Sequence, residues 1–236
     1  MNREYHKWFS HRVHQDMELL VFGHAGVPVI VFPTSGGTYR EFEDRRLIEA
    51  IGGKIDNGEL QLYCVDSNDQ QSWYNKRARP RTKIVRQVAY QEYIVREVVP
   101  LVRMKNQSPF LITLGASFGG YHAVNLALQH PDIFTGFLSM SGAFDMSNFL
   151  RGYHDDLVYF NTPPQYLANM TDPWFLDLYH RNKYVLCTGW DDQCLRWNQD
   201  LSTLMGQRGI PHQLWIWETY NSHDWPTWAK QMQTYL

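Results

Sequence analysis

A serine flanked by small residues, in Leu114-Gly-Ala-Ser117-Phe-Gly-Gly120, stands where an apolar run ends and a helical pattern begins. The run before it, Pro109-Phe-Leu-Ile-Thr-Leu114, favours a strand. The stretch after it, Phe118 to Ile133, carries apolar residues at helical spacing until Pro131 stops them. A strand that passes through G-x-S-x-G into a helix turns sharply, so the serine Oγ is left exposed at the sheet edge. The first turn of that helix offers free N–H groups to a negative charge developing nearby. Those are the parts needed for nucleophilic attack on a carbonyl.

A serine hydroxyl is a poor nucleophile at neutral pH. It needs a base within hydrogen-bond reach, and the base needs a group to orient it. On a strand–turn–helix scaffold of this kind the chain order is Ser, then Asp or Glu, then His. After the apolar run Gln213–Trp217 comes Glu218-Thr-Tyr-Asn-Ser-His223, which puts His223 in the loop before the last helix. The other nine histidines fit less well: they fall in the N-terminal hairpin or the turn after it, on or at the end of the helix after Ser117, in the irregular segment, or, for His212, at the opening of a strand. After Tyr184–Cys187 comes Thr188-Gly-Trp-Asp191-Asp192. Either carboxylate can serve: Asp192 lies three residues past the glycine, and Asp191 can instead cap the next helix. The second oxyanion donor, beside the Phe118 N–H, is expected in Phe32-Pro-Thr-Ser35-Gly36-Gly37, at Ser35 or Gly36.

The elements that must hold these residues are readable in outline. Lys7 to Phe22 alternates polar and apolar residues, as two antiparallel strands turning near His14-Gln-Asp16. Pro28–Phe32 is a wholly apolar strand of the kind covered on both faces. Strands are also expected at Leu60–Val65, 109–114, Phe134–Met140, Tyr184–Cys187 and Gln213–Trp217. Helices are expected over Glu41–Ile51 with Gly52-Gly53 as its stop, and over Lys83–Met104 with Pro100 as a kink or end. Three more follow at 118–129, Cys194–Gln207 and Trp225–Tyr235. Such alternation implies an α/β fold: a mostly parallel sheet, an antiparallel N-terminal hairpin and helices on both faces. Active residues in such sheets lie beyond the carboxyl ends of the strands. Residues 141–181, rich in aromatics, Asp and Pro, are expected to form short helices and loops over that end.

A chain of 236 residues suits a single domain spanning 1–236. The net charge of −2 gives no support for nucleic-acid or anionic-membrane partners. No stretch is long and apolar enough to span a membrane. The N-terminus, Met-Asn-Arg-Glu-Tyr-His, lacks the apolar core of a signal peptide. A cytoplasmic protein with reduced thiols is therefore expected, and Cys64 and Cys187 sit in apolar strand-like runs as buried free thiols. The basic run Lys76-Arg-Ala-Arg-Pro-Arg-Thr-Lys83 reads as a solvated loop and helix start. Trp73, Tyr74, Tyr153 and Tyr159 are candidate pocket-lining residues. His154, Asp155 and Asp156 fit a helix cap or solvated loop better than a metal site, because adjacent ligands rarely converge. No metal or cofactor is expected. Self-association is left open.

Four segments, Phe32–Gly37, Gly115–Gly120, Thr188–Asp192 and Ser222–Trp228, together resemble the putative esterase family related to esterase D. This α/β-hydrolase family includes S-formylglutathione hydrolases, feruloyl and enterochelin esterases and the antigen 85 mycolyltransferases. The resemblance runs over nearly the whole chain, including Asp16–Gly26 and Ser72–Lys76, and is nearest to compact bacterial members. It implies an α/β-hydrolase fold and a serine esterase acting on a small-molecule ester through an acyl-enzyme. It implies Ser117 as nucleophile, His223 as base, Asp192 as acid and Ser35 as oxyanion donor. The chain departs from the family at Pro33-Thr34, where other members have His-Gly, and at Ala116, where many have a larger residue. The rival readings are a formylglutathione-type thioesterase, an acyltransferase with the same triad, and a non-catalytic binding protein on the same fold.

Overall fold

The computed structural model describes residues 1–236. The polar–apolar alternation at the N-terminus forms β1 (Arg3–Ser10) and β2 (Gln15–Phe22), paired antiparallel. Then come β3 (Val27–Phe32), β4 (Leu60–Val65), β5 (Ile112–Ala116), β6 (Gly136–Met140), β7 (Lys183–Gly189) and β8 (Gln213–Trp217). They make one sheet in the order β1-β2-β4-β3-β5-β6-β7-β8. β2 meets β4 antiparallel, and every pairing from β4 to β8 is parallel. This is the α/β-hydrolase arrangement, with β5 in the middle of the parallel part.

The two-residue period of β3 shows why helices cover both faces. Ile30 and Phe32 enter one buried cluster, and Val29 and Val31 enter the other. The first cluster is closed by α4 (Pro80–Tyr93), α5 (Val99–Lys105), α6 (Phe118–Gln129) and α11 (Leu195–Gln207). The second is closed by α1 (Glu41–Asp44), α2 (Leu47–Ala50), α3 (Gly52–Asp56) and α12 (Trp225–Tyr235). Each fully buried Val, Ile or Phe contributes about 1.5–3 kcal/mol, so both faces help hold the sheet. Residues 141–181 form four short helices, α7 (Ser147–Leu150), α8 (Asp156–Phe160), α9 (Pro163–Ala168) and α10 (Pro173–Arg181). No helix is long and apolar enough to cross a membrane.

Several boundaries differ from the sequence reading. The single helix expected over Glu41–Ile51 is broken, because Arg46 adopts a left-handed backbone at φ 63°. Gly52-Gly53 does not stop a helix there but opens α3. The helix expected over Lys83–Met104 starts at Pro80, in the first helical position, and runs to Lys105. It passes Pro100 through a wide π turn at Ile94–Val98. Proline has no N–H to return to the preceding turn and its ring crowds that turn, so a widened turn is the way through. The strand expected at 109–114 lies three residues later at its start, since Leu111 is held by the Thr135 side chain.

Asp66, just beyond β4, gives the fold a pH signature. Burial pushes its carboxyl up to about 6, against backbone N–H bonds from Ser67 and Tyr39 and with help from the Glu18 and Asp69 charges. Between the ordinary aspartate value and about 6 the folded chain keeps a proton the unfolded chain has released. Stability therefore falls as pH rises through that window. Asp66→Asn should stabilise the fold at pH 7 by on the order of 1–2 kcal/mol, discounted for partial exposure, and not at pH 4. Urea denaturation at the two pH values measures this, and an equal change at both contradicts it.

Candidate active site

β5 delivers Ser117 into a turn that ordinary residues avoid. Its backbone sits at φ 55°, ψ −119°, directly before α6. The flanking glycines explain how the chain fits. A Cβ on Gly115 would lie 2.2 Å from the Gly119 backbone, and one on Gly119 would lie 2.5 Å from the Phe32 and Pro33 carbonyl oxygens. The turn is pinned from outside: the Ser117 N–H donates to Met140 O at 2.8 Å, and Ser117 O accepts from Ala143 N at 3.1 Å. A strained conformation persists where the surroundings over-determine it in this way.

Ser117 Oγ is 3.0 Å from His223 Nε2, and His223 Nδ1 is 2.9 Å from Asp192 Oδ1. The loops after β5, β7 and β8 thus meet beyond the carboxyl ends of the strands. The Asp192 side chain is fully buried, while that of His223 keeps 22% exposure. An ionised carboxylate only accepts hydrogen bonds, so Nδ1 carries the proton and Nε2 accepts from the serine hydroxyl. Burial is the largest influence on Asp192 and works against its charge. Hydrogen bonding to His223, the Ser141 hydroxyl and the Cys194 N–H outweighs it, and the pKa falls below the ordinary range. Ser141 assists without a full bond, since Asp192 Oδ2 is buried and makes no hydrogen bond at ordinary geometry.

Asp191 goes elsewhere. It does not cap the following helix, as one sequence alternative had it. Its carboxylate accepts the N–H groups of Asn221 at 2.8 Å and Ser222 at 3.1 Å, and the Ser222 hydroxyl. These bonds hold its charge and place its carboxyl below the usual range, with the Ser222 hydroxyl the main cause. Asp191 thereby ties the loop after β7 to the loop carrying His223. Trp228 supports the same loop from α12. Its ring meets the His223 ring edge-on at 5.1 Å, and its Nε1 donates to Ser141 Oγ at 2.9 Å.

The loop after β3 is clamped by two carboxylates. Glu41 accepts the Thr34 N–H at 2.7 Å and the Thr34 hydroxyl at 2.8 Å. Asp69 accepts the Gly36 N–H at 3.2 Å. Ser35 lies between them, and no protein group accepts from its N–H or from that of Phe118. Of the two sequence candidates, Gly36 is therefore already engaged and Ser35 is not. Asp69 itself is fully buried, and its other oxygen lies 3.0 Å from His122 Nε2. His122 belongs to α6, so this pair ties the loop to the helix that begins at the serine.

The aromatic candidates separate. The Tyr74 hydroxyl is 2.7 Å from Ser35 Oγ, and its ring packs on Phe118 at 5.1 Å. Trp73 is fully buried against Tyr121 and Phe149, so it is core rather than pocket wall. Tyr153 donates to Asp155. Tyr159 lines a cavity of about 420 Å³ with Leu128 and Gln129, at the far end of α6. That is about 15 Å of helix away from Ser117. Asp155 caps α8 by accepting from Val158 N, and His154 pairs with Gln165. Asp192, Cys194 and His223 place donor atoms within 4.8 Å of one another. Two of these are already joined by the hydrogen bond above, and burial pushes the Cys194 thiol up, which fits a proton relay better than an ion cage. Sequence reasoning missed Ser141, Trp228 and the Asp69–His122 pair. Trp228 was in view as part of the Ser222–Trp228 motif, but the other links are non-local and leave no pattern.

Residues 10–236 match the model of a family described as putative esterase. No curated protein matches the chain by sequence. Among solved structures, a ferulic acid esterase is 16% identical and superposes with a TM-score of 0.79, covering 100% of this chain and 96% of its own. The S-formylglutathione hydrolase of Staphylococcus aureus is 15% identical, with a TM-score of 0.68 and 99% and 96% covered. MPT51 of Mycobacterium tuberculosis is 17% identical, with a TM-score of 0.67 and 99% and 96% covered. At these identities the likeness speaks for the fold.

Proposed function

The chain belongs to the putative esterase family, as a carboxylic ester hydrolase, and on that premise we propose an acyl-enzyme mechanism with Ser117 as nucleophile, His223 as base and Asp192 as orienting acid. The observation that carries the reading is the unbroken relay, 3.0 Å from Ser117 Oγ to His223 Nε2 and 2.9 Å from Nδ1 to Asp192. Ser117 Oγ attacks the ester carbonyl while Nε2 takes its proton. The imidazolium is stabilised by the buried Asp192 carboxylate and then gives the proton to the departing alcohol. Water, activated by the same nitrogen, attacks the acyl-serine and restores the enzyme. The tetrahedral oxyanion lies against the N–H groups of Phe118 and Ser35. Donors fixed in advance act without reorganisation and are each worth on the order of 10²–10³ in rate. Glu41 and Asp69 fix the loop that carries the second of them.

The substrate is a small-molecule ester. A fluorophosphonate probe tests the nucleophile directly, because it reacts preferentially with a serine activated by its base. Peptide mapping of the labelled folded chain should find the adduct on Ser117. Labelling elsewhere, or none at all, favours a binding protein built on the same fold.

A further inference from the structure

The basic run at 76–83 plays no part in the relay. It is more than the solvated loop and helix start of the sequence reading. Lys76, Arg77, Arg79 and Lys83 line a concave pocket of about 240 Å³ together with Phe149 and Arg151 from the segment over the sheet end. No carboxylate lines this pocket. None of the five cations belongs to an ion pair, whereas Arg81, in the same run, pairs with Asp155. The pocket also adjoins the start of α4, whose first turn has neither a side-chain cap nor an acidic residue, so its dipole adds to the positive field.

Lys83 separates this feature from an ordinary charged surface. The residue is only 7% exposed, yet no anion meets its ammonium. Nζ donates to Phe149 O at 3.2 Å and lies 5.8 Å from the Phe149 ring. An ammonium has three donors, and here one is used within the protein. The ammonium is partly buried and Arg151 nearby adds repulsion, so burial and that cation both push the Lys83 pKa down. An entering anion would offset that repulsion and take up the free donors.

Phe149 lies between this pocket and the residues that flank Ser117. Its ring lies 5.7 Å from Phe118, the residue after the nucleophile, and 5.0 Å from Tyr74, whose hydroxyl meets Ser35. We propose that the Lys83–Arg151 pocket is an anion subsite that holds a carboxylate or phosphate group carried by the ester substrate, remote from the bond being cleaved. The proposal rests on Ser117 as the nucleophile. It also gives the 141–181 segment a role, since α7 supplies one wall.

The test has a binding arm and a kinetic arm, both on the full chain. Inorganic phosphate, titrated by calorimetry at low ionic strength, should bind the wild type and fail to bind Arg79→Gln/Arg151→Gln, whose side chains are exposed. Lys83→Met is the second variant, read only if its thermal transition is kept. In the kinetic arm, p-nitrophenyl butyrate is compared with mono-p-nitrophenyl esters of dicarboxylic acids and with phosphorylated aryl esters. The variants should lose roughly 10–100-fold in kcat/KM on an anionic ester and change less than about 3-fold on the neutral one. Phosphate should compete with the anionic ester only. Equal losses on both ester classes, or no phosphate binding by the wild type, overturn the subsite. Hydrolysis retained by Ser117→Ala would instead overturn the nucleophile, while phosphate binding still decides the pocket. The carboxylate and phosphate series show which anion is preferred.

Discussion

Ser117→Ala is expected to reduce kcat on p-nitrophenyl acetate by roughly four to six orders of magnitude, with the fold intact. Alanine removes the Oγ proposed to attack, which lies 3.0 Å from His223 Nε2, and leaves the imidazole nothing to activate but water. The methyl group is no larger than the side chain it replaces, and the backbone holding it is fixed by Met140 O and Ala143 N. The melting temperature and the far-ultraviolet spectrum should therefore stay near those of the wild type. Some rate above the uncatalysed reaction survives, because the oxyanion donors and substrate binding remain. Stopped-flow release of p-nitrophenol decides the matter: a variant that keeps even a tenth of the wild-type rate removes Ser117 from the mechanism.

Exchanging Asp192 for Asn should cost on the order of 10³–10⁴ in kcat, and exchanging Asp191 for Asn less than about tenfold. Asp192 Oδ1 meets His223 Nδ1 inside the protein and accepts the Cys194 N–H as well. The Asn oxygen can still accept from Nδ1–H and from the Cys194 N–H, but the neutral amide no longer stabilises the imidazolium that forms when Nε2 takes the serine proton. Asp191 is solvent-facing and holds two backbone N–H groups of the histidine loop. An Asn oxygen still accepts from one of them, so the loop loosens without losing its imidazole. Equal losses, or a larger one at Asp191, reject the assignment. There is an acid-stability corollary. Since the folded Asp192 pKa lies below the ordinary range, its contribution is present above the unfolded value and is lost as pH falls through the folded one. Asp192→Asn should flatten that acid limb.

The position of Ser117 was legible because a strand–turn–helix is local: the glycines, the preceding apolar run and the helical spacing lie within about twenty residues. His223 followed from order along the chain. Asp192 was preferred over Asp191 only weakly by spacing and more firmly by the family resemblance, because one residue of offset sends one side chain inward and its neighbour outward, and only the packing against Ser222 fixes which. Glu41 and Asp69 were invisible for a related reason. They reach the loop after β3 through folding, from 7 and 33 residues away. The break at Arg46 escaped because the run around it has good helix formers, and propensity yields to tertiary context. Lys83 escaped because a charge run is usually solvated, and the wall that buries it comes from Phe149 and Arg151, more than sixty residues later.

The left-handed backbone at Ser117 bears on how the protein can change. A residue with a Cβ held at φ 55°, ψ −119° gives up on the order of 1–3 kcal/mol that glycine there would recover. The position proposed as the nucleophile is thus one where the fold itself would favour another residue. Selection for thermal robustness alone would drift toward a sturdier but silent molecule, and selection for turnover must keep drawing on stability gathered elsewhere in the sheet.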